Sequence, residues 1–176
     1  MPKFRDIPQL TSSGHYCVNV SWDYLESHLA SESESGMAPL DLDPDFQRGH
    51  VWTPDQQIAY VEYILRGGQS GRDLYFNCPG WQADYRGPYV IVDGKQRLNA
   101  VRQFLADKIP AFGHLFSEYT DKLRMTGPAF NWHVNNLKTR KQVLTWYLEM
   151  NTGGTPHSDA EIQKVRDLLA VEKLKR

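Results

Sequence analysis

The residues best suited to chemistry lie at 93–97, where the sequence DGKQR follows a predicted strand at 89–92. Asp-Gly permits a tight turn, because glycine adopts backbone angles that other residues avoid. The turn leaves unpaired N–H groups at a helix start, where the helix dipole attracts anions. Lys95 and Arg97 add positive charge there, and we expect Arg97 to be exposed. The apolar face of the helix follows at Leu98, Val101, Phe104 and Leu105.

This pattern has a simpler interpretation as an ordinary Asp-Gly turn before an exposed helix start. Two further polar segments favour a phosphate site, because they also lie at junctions between predicted elements. These segments are FQR at 46–48 and NTGG at 151–154. Junctions leave backbone N–H groups and side chains available to a ligand. We therefore expect one polar cleft to contain Arg48, Asp93, Arg97 and Asn151.

Predicted strands and helices, which must position these junctions, alternate along the chain. Apolar, aromatic and alternating patterns predict strands at 16–20, 74–78, 89–92 and 130–134, with the middle two forming a hairpin. A further short strand and turn are expected at 109–116. The Asp and Pro content of 40–52 predicts an extended segment that Phe46 and Trp52 anchor to the core.

Capping residues predict where the helices begin. Thr53 is the clearest, because Pro54 takes the first helical position and Gln56 completes a capping box. The other predicted caps are Ser21, Thr139 with Gln142, and Ser158 with Glu161. The first helix is expected to end in a polar, mobile linker at 31–36.

Length and composition bound the class of protein. A chain of 176 residues with 40% hydrophobic residues suits one compact domain. We expect an arm at 1–15 and a single domain at 16–176. Cys17 and Cys78 are interpreted as buried free thiols in a reducing compartment. With no signal sequence and no membrane-spanning run, the chain is expected to be cytoplasmic.

Several functional classes find little support in the sequence. The six histidines are scattered, which argues against a zinc site, and no GxxxxGK[ST] loop is present. The net charge of −1 gives no overall indication of nucleic-acid binding. The C-terminal third is locally basic. This charge is interpreted either as a solvated helix surface or as a DNA-binding patch. Its basic residues are Lys138, Arg140, Lys141, Lys164, Arg166, Lys173, Lys175 and Arg176.

Three segments, in this order, resemble a known family: FQRGHVW at 46–52, VDGKQRL at 92–98 and NTGG at 151–154. They are similar to the N-terminal domain of the GmrSD type of modification-dependent restriction proteins. That family has a ParB/sulfiredoxin-like fold and the signature DGQQR. The resemblance implies an α+β fold, a small mixed sheet flanked by helices, with nucleotide binding and hydrolysis at the DGKQR turn.

The resemblance also implies roles for individual residues. Arg97 would neutralise phosphate charge, and Asp93 would hold Mg²⁺ or orient water. Glu62 is a candidate general base by family analogy. The catalytic candidates are thus Asp93, Arg97 and Glu62. The candidate residues for binding a nucleoside triphosphate are Gln47, Arg48, Gly94, Lys95, Gln96, Arg97, Asn151, Gly153 and Gly154.

The chain departs from the family pattern at Lys95, which replaces the first Gln of the signature. A Pro-containing turn is missing after Gly67-Gly68, and no His-Asn-His nuclease follows the last helix. Self-contained restriction is therefore not expected. The leading interpretation is an NTPase acting in DNA transactions or phage–host conflict. The alternatives are a non-catalytic module that regulates or inhibits a partner restriction or nuclease protein, and a ParB-like DNA nickase.

Overall fold

The computed structural model describes residues 3, 7, 16–34, 40–121, 123, 127–151 and 159–174. Within these ranges, five strands form one mixed sheet that α-helices flank, which confirms the predicted α+β fold. The strands are β1 Tyr16–Ser21, β2 Leu40–Asp41, β3 Asp73–Asn77, β4 Tyr89–Asp93 and β5 Ala129–Asn135. The helices are α1 Leu25–Glu34, α2 Pro54–Leu65, α3 Lys95–Leu105, α4 Arg140–Asn151 and α5 Asp159–Leu174. The predicted arm at 1–15 lies almost wholly outside the described residues.

The strand order in the sheet is β1-β5-β3-β4-β2. β1 pairs antiparallel with β5, β5 parallel with β3, β3 antiparallel with β4, and β4 parallel with β2. The predicted hairpin between the strands at 74–78 and 89–92 is thus confirmed, as the antiparallel pair β3 and β4. The strand β4 has a neighbour on each side, so the DGKQR turn leaves from an interior position of the sheet.

The sheet packs against helices on both faces, because successive side chains of a strand point in opposite directions. In β4, Ile91 belongs to a core cluster with residues of α1, α2 and α3. Its neighbour Val92 belongs to a second cluster with residues of α4 and α5. The site at the end of β4 therefore lies where both layers meet.

Two of the predicted capping boxes are confirmed. Thr53 Oγ1 accepts from the Gln56 backbone N–H, and the Gln56 side chain accepts from Thr53 N–H. Thr139 and Gln142 make the equivalent pair of hydrogen bonds. The cap at Ser21 is wrong: its side chain makes no capping bond, and one 3-10 turn precedes α1. The Ser158 cap lies outside the described residues.

The predicted linker at 31–36 is wrong for its first four residues, because α1 continues to Glu34. Ser31 and Ser33 donate their hydroxyl protons to backbone carbonyls of the same helix, so the serines are accommodated without ending it. The strand expected at 109–116 is also wrong. An isolated bridge between Ala111 and His114 takes its place.

No described helix is long and apolar enough to cross a membrane. Cys78 is buried as expected, whereas Cys17 is exposed. The difference arises because Cys17 belongs to β1, an edge strand whose residues alternate between the core and solvent.

Candidate functional site

A pocket of about 340 Å³ lies at the C-terminal end of β4. The 46–52 segment, the 93–97 turn and the C-terminal end of α4 all contribute to it. Its lining residues are Gln47, Arg48, Trp52, Asp93, Gly94, Lys95, Gln96, Arg97, Tyr147, Met150 and Asn151. The expected convergence of Arg48, Asp93, Arg97 and Asn151 on one cleft is therefore observed. The chemical role of each side chain stays a prediction.

The backbone conformation of Gly94 allows the chain to turn from β4 into α3. Gly94 caps α3 with φ of 100° and ψ of 4°, in the left-handed region that favours glycine. Its carbonyl accepts the first helical hydrogen bond from Leu98 N–H at 2.9 Å. The N–H groups of residues 95–97 therefore precede the helical ladder, as an anion-binding turn requires.

The side chains of Lys95 and Gln96 are engaged in contacts within the protein. The Lys95 ammonium forms an ion pair with Asp43 and donates to the Arg48 carbonyl at 3.0 Å. Gln96 Nε2 donates to the Gly49 carbonyl at 2.9 Å, while its Oε1 accepts from Val51 N–H at 3.1 Å. Both side chains therefore hold the 46–52 segment against the start of α3. Sequence reasoning missed this, because the partners lie more than 40 positions away.

Arg97 and Asp93 form the central ion pair of the pocket. Arg97 Nη2 donates to Asp93 Oδ2 at 2.6 Å and to the Asp73 carbonyl at 2.9 Å. The Arg97 side chain is only 23% exposed, so the expectation of an exposed arginine is wrong. Its Nε is buried with no acceptor in the described part of the chain. A buried donor of this kind is normally satisfied by water or ligand.

The other two junctions are also held by hydrogen bonds. Gln47 Nε2 donates to the Ile91 carbonyl at 2.8 Å, which fixes the 46–52 segment to β4. The adjoining Arg48 is half-buried at the pocket. Asn151 Nδ2 donates to the Tyr147 carbonyl at 2.7 Å, within α4. Gly153 and Gly154 lie outside the described residues.

The structure does not bring Glu62 to the pocket. Its carboxylate accepts from the Phe112 backbone N–H at 2.7 Å, and it is absent from the pocket lining. The family analogy that suggested Glu62 as a base carried no information about which turn its carboxylate would contact.

Sequence reasoning also missed three residues of the pocket wall: Trp52, Tyr147 and Met150. Trp52 was expected only to anchor the extended segment to the core, and Tyr147 belongs to the second core cluster. Trp52 stands two residues after the Gly49-His50 pair, so its position beside a polar junction was the available signal. These residues add apolar surface to the lining of the pocket.

The charges around the pocket favour an anionic ligand. Among its lining residues, Arg48, Lys95 and Arg97 are cations, and Asp93 is the carboxylate. Hydrogen bonding and charge from Lys95 hold the pKa of Asp43 below its ordinary value, so this outer carboxylate is ionised at neutral pH. Asp43 thus offsets the charge of Lys95, and Asp93 offsets that of Arg97. With Asp43 counted beside the lining residues, three cations stand against two carboxylates, so the net charge around the pocket is positive.

The family model of the N-terminal domain of the GmrSD restriction endonuclease matches residues 27–137. That match covers more than half of the 176-residue chain. The chain belongs to this family. The match includes the 46–52 and 92–98 segments, and it ends before the NTGG segment. No curated protein and no solved structure matches. Membership associates the chain with restriction systems, because the family is defined on a restriction endonuclease.

Proposed function

We propose that the pocket at the end of β4 binds and hydrolyses a nucleoside triphosphate, and that the nucleotide controls a step in a restriction system. The observation that carries this proposal is the convergence of three sequence segments on one basic pocket. The family supports the restriction context.

The phosphate groups would lie against the first turn of α3. The N–H groups of residues 95–97 point away from the helical ladder, and the helix dipole stabilises negative charge there. Arg48 also lines the pocket and is half-buried there. Arg97, already turned toward Asp93, has Nε available for a further acceptor. Together these groups would stabilise charge as it develops on the phosphates.

Asp93 has the properties of a ligand for substrate-bound Mg²⁺. Its Oδ2 is paired with Arg97, whereas no described residue donates to its Oδ1. Mg²⁺ commonly combines one or two carboxylates with phosphate oxygens and water, so one carboxylate fits a site that the nucleotide completes. Bound there, Mg²⁺ would screen phosphate charge. The same Asp93 oxygen would otherwise orient a water.

The apolar wall of Trp52, Tyr147 and Met150 suits the sugar or base of a nucleotide. Ligand pockets typically combine an apolar lining with a few directed polar groups. Trp52 is half-buried and also packs against Tyr60, with ring centroids 5.4 Å apart. Its ring therefore offers a fixed surface rather than a mobile one.

A non-catalytic module that regulates a partner restriction or nuclease protein is the second candidate. Two observations favour it: the pocket carboxylate of Asp93 is already neutralised by Arg97, and Glu62 lies elsewhere. Such a pocket would bind a nucleotide without activating water. Regulation of the partner would then depend on occupancy alone.

Direct action on DNA has weaker support in the geometry. Arg140, one of the C-terminal basic residues, donates to both carboxylate oxygens of Asp45 at 2.8 Å. It also approaches Glu172 at 3.9 Å. Lys138 donates to the Pro79 carbonyl. These pairings favour a solvated, ion-paired surface over a stripe that binds DNA phosphates.

The test is thermal unfolding with Mg²⁺ and each of ATP, GTP, CTP and UTP in turn. At a ligand concentration about a hundredfold above Kd, binding adds roughly 2.7 kcal/mol to the folded state. For a domain of this size, each kcal/mol raises the midpoint by about 2–4 °C, so we expect a rise of roughly 5–10 °C with the right nucleotide. Arg48→Ala should remove most of that rise.

Arg102→Ala is the matched control, because Arg102 lies on α3, pairs with Glu26 and does not line the pocket. It should keep the full rise. Phosphate release then separates the two candidates: release that Arg48→Ala abolishes supports the NTPase, and binding without release supports the regulator. If all four nucleotides at millimolar concentration leave the midpoint unmoved, the pocket is not a nucleotide site.

A further inference from the structure

Lys95 is the one charged side chain that is buried among the described residues, with only 5% of it exposed. It is the first residue of α3, where the helix dipole disfavours positive charge. A buried ammonium is costly unless it is paired and hydrogen-bonded. The Asp43 carboxylate and the Arg48 carbonyl supply those partners. The ammonium is therefore already engaged within the protein.

These contacts act on a segment that has no regular secondary structure of its own. Residues 42–53 form neither helix nor strand, so their backbone must be held by other groups. Gln47 donates to β4, Lys95 donates to the Arg48 carbonyl, and Gln96 bonds the backbone of Gly49 and Val51. The backbone on both sides of Arg48 is thereby fixed to the end of β4 and the start of α3.

We infer that Lys95 is a positioning residue of the nucleotide pocket, which acts through Arg48 rather than by contacting phosphate. This inference rests on the proposed function for its ligand. The Lys95–Asp43 ion pair and the bond to the Arg48 carbonyl hold Arg48 at the pocket, so that its guanidinium faces the phosphates. The lysine at this position of the family signature thus holds the 42–53 segment in place.

Asp43 allows a test in which two models predict opposite changes in nucleotide affinity. Its side chain is 82% exposed and carries a negative charge next to a pocket proposed for an anion. If charge alone set affinity, Asp43→Asn would tighten nucleotide binding. If Asp43 and Lys95 position Arg48, the same substitution weakens binding. Asparagine keeps a side-chain oxygen that can accept from the Lys95 ammonium, so the variant is expected to fold.

The experiment measures the Kd of the nucleotide that stabilises the wild-type protein, with Mg²⁺ present. We expect Lys95→Met and Asp43→Asn each to raise Kd roughly tenfold, as for residues in one network. In an Arg48→Ala background, Lys95→Met should add no further loss. Lys108→Met, at an exposed lysine just beyond α3, is the control and should leave Kd unchanged.

Three results would overturn the inference. Tighter binding in Asp43→Asn would mean that charge dominates. Losses from Lys95→Met and Arg48→Ala that multiply independently would mean that Lys95 contacts the ligand itself. A lowered melting midpoint with an unchanged Kd would mean that Lys95 only stabilises the fold.

Amide hydrogen exchange separates a failure of this inference from a failure of the proposed function. Without any nucleotide, Lys95→Met and Asp43→Asn should speed exchange at residues 48–52, while exchange in β4 is unchanged. If the wild-type protein binds no nucleotide but exchange speeds as expected, the positioning role stands and the proposed ligand is wrong. Unchanged exchange at residues 48–52 overturns the positioning role directly.

Discussion

At the scale of single residues, Gly94 is a position where backbone geometry strongly restricts the sequence. A Cβ atom there would lie 2.4 Å from Leu74 Cδ2 and 3.2 Å from the Asp73 carbonyl oxygen. The positive φ adds strain for any side chain. The turn that presents Asp93 and Arg97 to the pocket therefore depends on glycine for both conformation and space.

Gly94→Ala should lower the free energy of unfolding by about 2–4 kcal/mol, from left-handed strain and overpacking together. Gly67→Ala is a matched control, because Gly67 has a similar φ of +92° with nothing within 4 Å of its Cβ position. It should lose only about 1–2 kcal/mol. Urea unfolding of both variants measures the difference. Equal losses would show that the contact with Leu74 relaxes without cost.

The glycine turn itself was predictable, since Asp-Gly between an apolar strand and an amphipathic helix has few other meanings. The roles of Lys95 and Gln96 were not, although their location in the turn was. Each bonds a segment more than 40 residues earlier in the chain, and neither periodicity nor capping rules carry information about such partners. The half-buried position of Arg97 escaped prediction for the same reason, because it depends on Asp73 at the start of β3.

At the scale of elements, the helix starts illustrate which local signals suffice. Thr53 and Thr139 cap their helices as predicted, because each capping box is closed by residues three positions apart. Ser21 has no such partner, and a 3-10 turn begins there instead. The two-residue strand β2 was missed, since it exists only through its pairing with β4. The sequence therefore predicts those features that depend on hydrogen bonds between neighbouring residues.

The contact between the 42–53 segment and α3 should make stability depend on acidity. Because Lys95 lowers the folded pKa of Asp43, the carboxylate stabilises the fold above its unfolded pKa, and that contribution is lost as pH falls through the folded value. Between about pH 5 and pH 3, the wild-type protein should therefore lose unfolding free energy more steeply than Asp43→Asn. Urea unfolding across this range measures both slopes. Identical slopes would show that the ion pair contributes nothing.

At the scale of the whole molecule, the sheet brings distant segments to one place. The strand β4 lies between β3 and β2, with one helical layer on each face. Its C-terminal end is where the 46–52 segment, α3 and α4 meet. The α+β class and this convergence were predictable from junction residues and family resemblance. The apolar wall was not, because Trp52, Tyr147 and Met150 follow the same patterns as core residues.

The most direct test of the pocket is to map nucleotide binding on the backbone by NMR of the ¹⁵N-labelled protein. With Mg²⁺ and increasing nucleoside triphosphate, we expect the largest shifts at the amides of residues 94–97 and 47–48, saturating together. Amides of the 79–88 loop, at the opposite end of β4, should stay unchanged. Shifts confined to that loop, or no shifts at millimolar nucleotide, would contradict a phosphate site at the start of α3.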